Sequence, residues 1–66
     1  MAQLTGREIE VLTHLAQGEN AREIAERLDI SKRTVAAHIK SICDKLGASN
    51  GAHAVAIALT RDLIEA

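Results

Sequence analysis

The chain has 66 residues, 47% of them hydrophobic, a formal net charge of −1, and no proline, phenylalanine, tyrosine or tryptophan. One cysteine, Cys43, excludes an internal disulfide, so the core has to be made from Leu, Ile, Val and Ala. A chain of about 60 residues buries only roughly 60% of its unfolded surface, which predicts one small domain over residues 1–66 with a thin interior.

Thr5 followed by Glu8 reads as a capping box at the start of a helix, and Leu4 and Ile9 are spaced for a hydrophobic staple across it. Ile9, Leu12, Leu15 and Ala16 recur at helical spacing, with Val11 widening the stripe, and Gly18 supplies a left-handed stop. The first helix is therefore expected over about 6–17. Asn20 and Glu23 repeat the box, and Ile24, Ala25 and Leu28 mark a short second helix over 21–28. Asp29-Ile30 makes the turn, with Asp29 suited to a left-handed backbone. Ser31 caps a third helix that runs over 32–46 and stops at Gly47. Ser49 or Asn50 caps a fourth, expected over 50–64. The fold class is all-α, a compact four-helix (tetrahelical) helix-turn-helix domain.

The unit from Ala21 to Lys40 has the form of a short helix, a tight turn and a crossing helix. Ala25 is small enough for the two helices to approach, and Leu28, Ile30, Val35 and Ile39 are placed to fill the angle. On helix 3, Val35, Ile39, Ile42 and Leu46 fall within about 60° of one another and form the inward stripe. Opposite lie Arg33, Ala37 and Lys40, flanked by Ala36 and Ser41.

Charge is distributed unevenly. Residues 1–31 carry three basic and six acidic side chains, whereas 32–45 carry Lys32, Arg33, Lys40 and Lys45 against Asp44 alone. A solvated helix usually alternates acid and base at i,i+4. A face that is small and cationic suits a DNA major groove, and helices 1 and 2 would turn their acids away from the phosphates.

The string Leu4-Thr5-x-Arg7-Glu8-x-Glu10-Val11-Leu12, then Ala16-x-Gly18, carries a resemblance that continues downstream. It goes on through Glu23-Ile24-Ala25-x-x-Leu28-x-Ile30-Ser31-x-x-Thr34-Val35-x-x-His38 to Lys45-Leu46-Gly47. Together these closely resemble the LuxR-type helix-turn-helix of quorum-sensing and NarL/FixJ-type response regulators. The resemblance implies double-stranded DNA as partner, helix 3 in the major groove and helix 4 as a dimerisation element. It also implies a receiver or ligand-binding domain ahead of it in full-length relatives, so this chain is either an excised effector domain or a stand-alone regulator.

Thr34, as a phosphate contact, and Lys40, as a base or phosphate contact, are the residues carried over from the family. Lys32, Arg33, Ala37, Ser41 and Lys45 join them by position on helix 3. His38, at the edge of the inward stripe, either orients the helix or bonds to backbone or phosphate. Arg22 either meets a phosphate or pairs with Glu26 at i,i+4. Two positions depart from the family: Ala36 stands where Lys is frequent, and Gly51 where helix 4 usually opens with a basic residue. Each loss removes roughly one phosphate or base contact.

Helix 4 reads as apolar on two sides. Ala54, Ile57, Ala58 and Ile64 lie on one, Ala52, Ala56, Leu59 and Leu63 on the other, with Val55 between. Either the second side meets a partner in a homodimer, through Ala52, Ala56, Ile57, Leu59 and Leu63, or the helix is wrapped within the domain.

His14, His38, His53 and Cys43 lack ligand spacing, which predicts no metal site, no cofactor and no catalysis. Cys43 reads as a small hydrophobe, with a redox-sensor role as the alternative, and the acidic pairs Glu8/Glu10 and Glu23/Glu26 as solvated. Met1-Ala2-Gln3 has no basic and apolar leader, and Ala54–Leu59 is too short to span a bilayer, so a cytoplasmic, non-membrane protein is expected. Two alternatives remain at this point: a sigma-factor region of similar fold, and a protein-interaction module that has lost DNA.

Overall fold

The structure, a computed structural model, describes residues 3–65, and four helices make up its regular part. They are α1 (Gly6–Ala16), α2 (Ala21–Leu28), α3 (Lys32–Leu46) and α4 (Gly51–Thr60). Met1 and Ala2, on which the reading of a leaderless start partly rests, lie outside the described residues.

Each start is fixed by the cap its sequence encodes. Thr5 and Glu8 form a complete capping box, as do Asn20 and Glu23. Ser31 accepts from the Thr34 N–H and Asn50 from the His53 N–H, so Asn50 rather than Ser49 caps α4. The stops need a left-handed residue, and Gly18 (φ 87°) and Gly47 (φ 70°) supply it after α1 and α3. Asp29 takes the same conformation, φ 56° and ψ 47°, after α2.

The expected end of helix 4 is corrected. α4 stops at Thr60, four residues early, because Asp62 adopts φ 56° and reverses the chain. The Leu63 N–H then donates to the Ala58 carbonyl at 2.8 Å and the Asp62 N–H to the Leu59 carbonyl at 3.2 Å, a full Schellman closure. The reversal folds Ile64 back into the interior, where it is 7% exposed.

Val11 and Leu12 of α1, Ile24 and Ala25 of α2, Val35, Ile42 and Leu46 of α3, and Ala54 and Ala58 of α4 form the core with Ile64. Leu28, Ile30 and Ile39 pack against it, half-buried, at the α2–α3 angle. Ile9 departs from its predicted inward place. It is 38% exposed, and with Leu4, Leu46 and Leu63 it lines an apolar hollow of about 390 Å³ beside the start of α1. Val11 takes the interior position instead.

α2 and α3 cross through a turn of three residues, Asp29 to Ser31, with the Ile30 N–H held by the Ala25 carbonyl at 3.0 Å. Ala25 at the crossing is 6% exposed, so the small side chain sits where the helices approach. α1 and α4 pack behind α3 and leave its outer face uncovered.

Candidate nucleic-acid interface

α3 opens on Ser31, whose Oγ accepts from the Thr34 N–H at 3.0 Å and lies 2.9 Å from the Thr34 hydroxyl. No acid occupies the first turn of α3, so the positive end of the helix dipole is uncompensated there. Lys32, Arg33, Thr34, Ala36, Ala37 and Lys40 are all exposed, and His38 is half-buried at the margin. Among the described residues, Lys32, Arg33 and Lys40 take part in no ion pair. The outward face of α3 is thus short, cationic and electrostatically unsatisfied, flanked by a hydroxyl at the dipole's positive end.

Three other basic or polar positions have internal partners. Arg22 Nε lies 3.4 Å from Glu26 Oε1, the pairing open from the sequence, but both side chains are mostly exposed and such a pair is worth about 0.3–0.5 kcal/mol. Lys45 and Ser41 are held more firmly. Lys45 Nζ donates to Glu8 Oε1 at 2.7 Å and to the Gln3 carbonyl at 3.1 Å, and Ser41 Oγ donates to Glu8 Oε2 at 2.7 Å. Glu8 also accepts from the Thr5 N–H at 2.8 Å.

Glu8 corrects the reading of the acidic pairs as solvated. Glu10 is exposed, but Glu8 is only 3% exposed, the single buried charged residue among those described. Burial alone would raise its pKa; the Lys45 ammonium, the Thr5 N–H and the Ser41 hydroxyl outweigh that and hold it at about 2. The capping box marked Glu8 as a helix-start residue. Its second role depends on partners 33 and 37 residues away, which local pattern does not reveal.

A second ionic cluster, also missed, braces the α1–α2 loop. His14 Nδ1 lies 2.9 Å from Glu19 Oε2, and Arg27 Nε lies 2.6 Å from Glu19 Oε1. The bond to His14, against the opposing effect of burial and with help from Arg27, lowers the Glu19 pKa.

The remaining candidate ligands are dispersed. His53 Nδ1 accepts from the Ser49 N–H at 3.0 Å, and Cys43 packs half-buried against the core. Burial, aided by Asp44, pushes the Cys43 thiol pKa up, away from the reactive thiolate. Among the described residues no three potential metal ligands come together.

On α4, Ala54 and Ala58 are buried and Val55 and Ile57 half-buried, whereas Ala52, Ala56 and Leu59 face outward. The second apolar side is therefore open within the domain. Leu63, counted with it from the sequence, lies beyond the helix end and borders the hollow near α1. A Cβ at Gly51 would sit 3.8 Å from Leu15 Cδ1 and Ile39 Cγ2, so this position leads off against the domain, in ordinary van der Waals contact.

A tetrahelical bundle that projects one such helix through a three-residue turn is a helix-turn-helix domain of the nucleic-acid-reading kind. Comparison with known proteins agrees. The family model for bacterial regulatory proteins of the luxR family matches residues 2–58. The transcriptional activator protein BjaR1 of Bradyrhizobium diazoefficiens is 46% identical over 61 residues, which cover 92% of this chain and 25% of that protein.

Among solved structures, the response regulator ChrA of a heme-sensing two-component system superposes with TM-score 0.93 at 41% identity, over 97% of this chain and 32% of ChrA. The transcription factor GerE superposes with TM-score 0.90 at 32% identity, over 98% of this chain and 97% of GerE. The chain belongs to the luxR family of bacterial regulatory proteins, as a DNA-binding transcription-regulator domain rather than an enzyme. It spans about a quarter of the length of the curated relatives it matches.

Proposed function

We propose that the chain, as one unit over 1–66, reads a specific duplex DNA sequence with α3 in the major groove. The observation that carries this reading is the outward face of α3: Lys32, Arg33, Ala37 and Lys40 exposed, with no internal ion pair on the three cations among the described residues. Thr34 and Lys32, at the helix start, meet phosphate, where the dipole adds to the charge. Arg33 and Lys40 flank Ala37, whose small side chain lets the helix approach base edges. Arg22, loosely held by Glu26, reaches a neighbouring phosphate. His38 sets the margin of the contact. Ser41 and Lys45 are satisfied within the domain, and their part is to support α3 rather than to touch DNA directly.

Ala52, Ala56 and Leu59 form the exposed side of α4 that pairs two copies, with Ile57 at its edge and Leu63 beyond its end. A twofold dimer through this side fits two half-sites about one helical turn apart. In a longer protein the domain serves as the output of a receiver or ligand-binding domain, a reading supported by its likeness to ChrA, a response regulator of a two-component system. No helix among the described residues is long and apolar enough to cross a membrane, and the cytoplasm, where bacterial DNA lies, is the proposed location.

The test is titration of labelled duplex DNA at several salt concentrations. A DNA reader binds and weakens steeply with salt, in proportion to the phosphates it neutralises. A chain with no salt-dependent affinity for any duplex overturns the reading.

A further inference from the structure

α3 is held in the domain by two kinds of contact that differ in directionality. Val35, Ile42 and Leu46 are buried against the other helices, but apolar packing tolerates small rotations at little loss. Hydrogen bonds do not, because they weaken steeply once misaligned. Among the described residues, the only side-chain hydrogen bonds joining α3 to another helix run from Ser41 and Lys45 to the two oxygens of Glu8. Glu8 is itself fixed at the N-terminus of α1 by the Thr5 N–H and by the capping box. Ser41 and Lys45 are one turn apart, so the carboxylate grips α3 at two points along one edge.

That grip sets which residues point outward. On a helix of about 5–6 Å radius with side chains, a rotation of about 20° moves a side-chain tip by about 2 Å, more than a base contact tolerates. Ser41 follows directly on Lys40 and lies one turn from Ala37, the residues placed against the groove. The same carboxylate holds the Lys45 ammonium, 22% exposed, away from any phosphate.

Building on the DNA-reading function above, we propose that Glu8 is a positioning residue for sequence discrimination: through Ser41 and Lys45 it fixes the rotation of α3 about its axis and withholds the Lys45 charge from the DNA backbone. The role predicts a signature opposite to that of a residue that simply holds the fold together. Loss of the Glu8 charge loosens α3 and frees a cation, so sequence preference falls while nonspecific attraction is kept or rises.

The experiment compares two duplexes, one selected by the wild-type chain from a random-sequence pool and one scrambled version of it, across a salt series. In Glu8→Gln the ratio of the two affinities is expected to fall at least tenfold, with the salt slope on scrambled DNA steeper by about 0.9, the equivalent of one phosphate. Ser41→Ala, which keeps the cap and the Lys45 pair, lowers the ratio without changing the slope. Ile42→Val, which loosens the core away from this network, serves as control and scales both affinities alike. Should Glu8→Gln lose its helical circular dichroism, Ser41→Ala decides alone. Folded variants whose ratio stays within twofold of wild type overturn the proposal. A wild-type chain that binds neither duplex overturns the DNA-reading function itself, a separate result, and this inference with it.

Discussion

The Lys45 ammonium at the end of α3 lies 2.7 Å from the Glu8 carboxylate at the start of α1, joining residues 37 apart in the chain. In a domain without disulfide, Phe, Tyr or Trp, this contact ties α3 to the chain's first helix. It also makes stability depend on acid. The Glu8 pKa is held at about 2 against an ordinary value of 4.5, so the charged form is favoured by folding. Its contribution is complete above pH 4.5 and is lost as pH falls toward 2, where the folded state must also take up the proton.

Urea unfolding followed by circular dichroism is expected to show a loss of about 1–3 kcal/mol over that window, solvent screening included. Glu8→Gln should flatten this acid limb, leaving the part due to Glu19, whose pKa is also lowered. An unchanged limb in the variant would remove Glu8 as its source.

Lys40 is exposed on α3 and unpaired among the described residues, so removing it disturbs nothing inside. Lys40→Ala is expected to weaken binding to the preferred duplex by about 1–3 kcal/mol while the thermal midpoint stays put. Normal affinity in this variant would take Lys40 out of the interface.

Ala36 is exposed beside the same face and stands where the family often has lysine. Ala36→Lys should tighten binding to all duplexes and steepen the salt slope by about 0.9, with stability changed by no more than about 0.5 kcal/mol. A slope that does not move places residue 36 away from the phosphates.

Leu59 is 36% and Leu63 38% exposed, one on the outer side of α4 and one past its end. Leu59→Glu is expected to lower self-association in sedimentation with the fold intact, because it sets like charges against each other across a twofold axis. Leu63→Glu, beside the hollow near α1, should have the weaker effect. If neither variant changes sedimentation, pairing through this side of α4 is wrong.

Asp62 holds the left-handed position that closes α4, a conformation that glycine adopts at no steric penalty. Asp62→Gly is therefore expected to stabilise the domain by about 0.5–1 kcal/mol in urea titrations. A destabilised variant would show that the aspartate side chain, not the backbone turn, matters there.

Where structure is set by neighbours in the chain, the sequence was legible. Thr5 with Glu8, Asn20 with Glu23, Ser31 and Gly47 mark helix ends through bonds within a few residues, and three of the four helices begin and end within one residue of expectation. The fourth failed at its end because the left-handed stop fell on Asp62, which carries no glycine signal. The outward face of α3 followed from its periodicity. What periodicity could not assign was the rim: Ser41 and Lys45 lie where an outward and a sideways direction are hard to separate, and their partner comes from another helix. Ile9 was misplaced for a related reason: Ile9 and Val11 flank the direction of Leu12 on opposite sides of α1, and only packing decided which side turned inward.

The interior assembled from Val11, Leu12, Ile24, Val35, Ile42 and their neighbours presents methyl groups, and the chain has no Phe, Tyr or Trp. Near-ultraviolet light consequently finds almost no chromophore here, and the unmodified domain emits no intrinsic tryptophan signal. A single tryptophan introduced on the surface, or a dye carried by the duplex, would report against a dark background, and methyl resonances become the natural reporters of how the interior responds when DNA arrives.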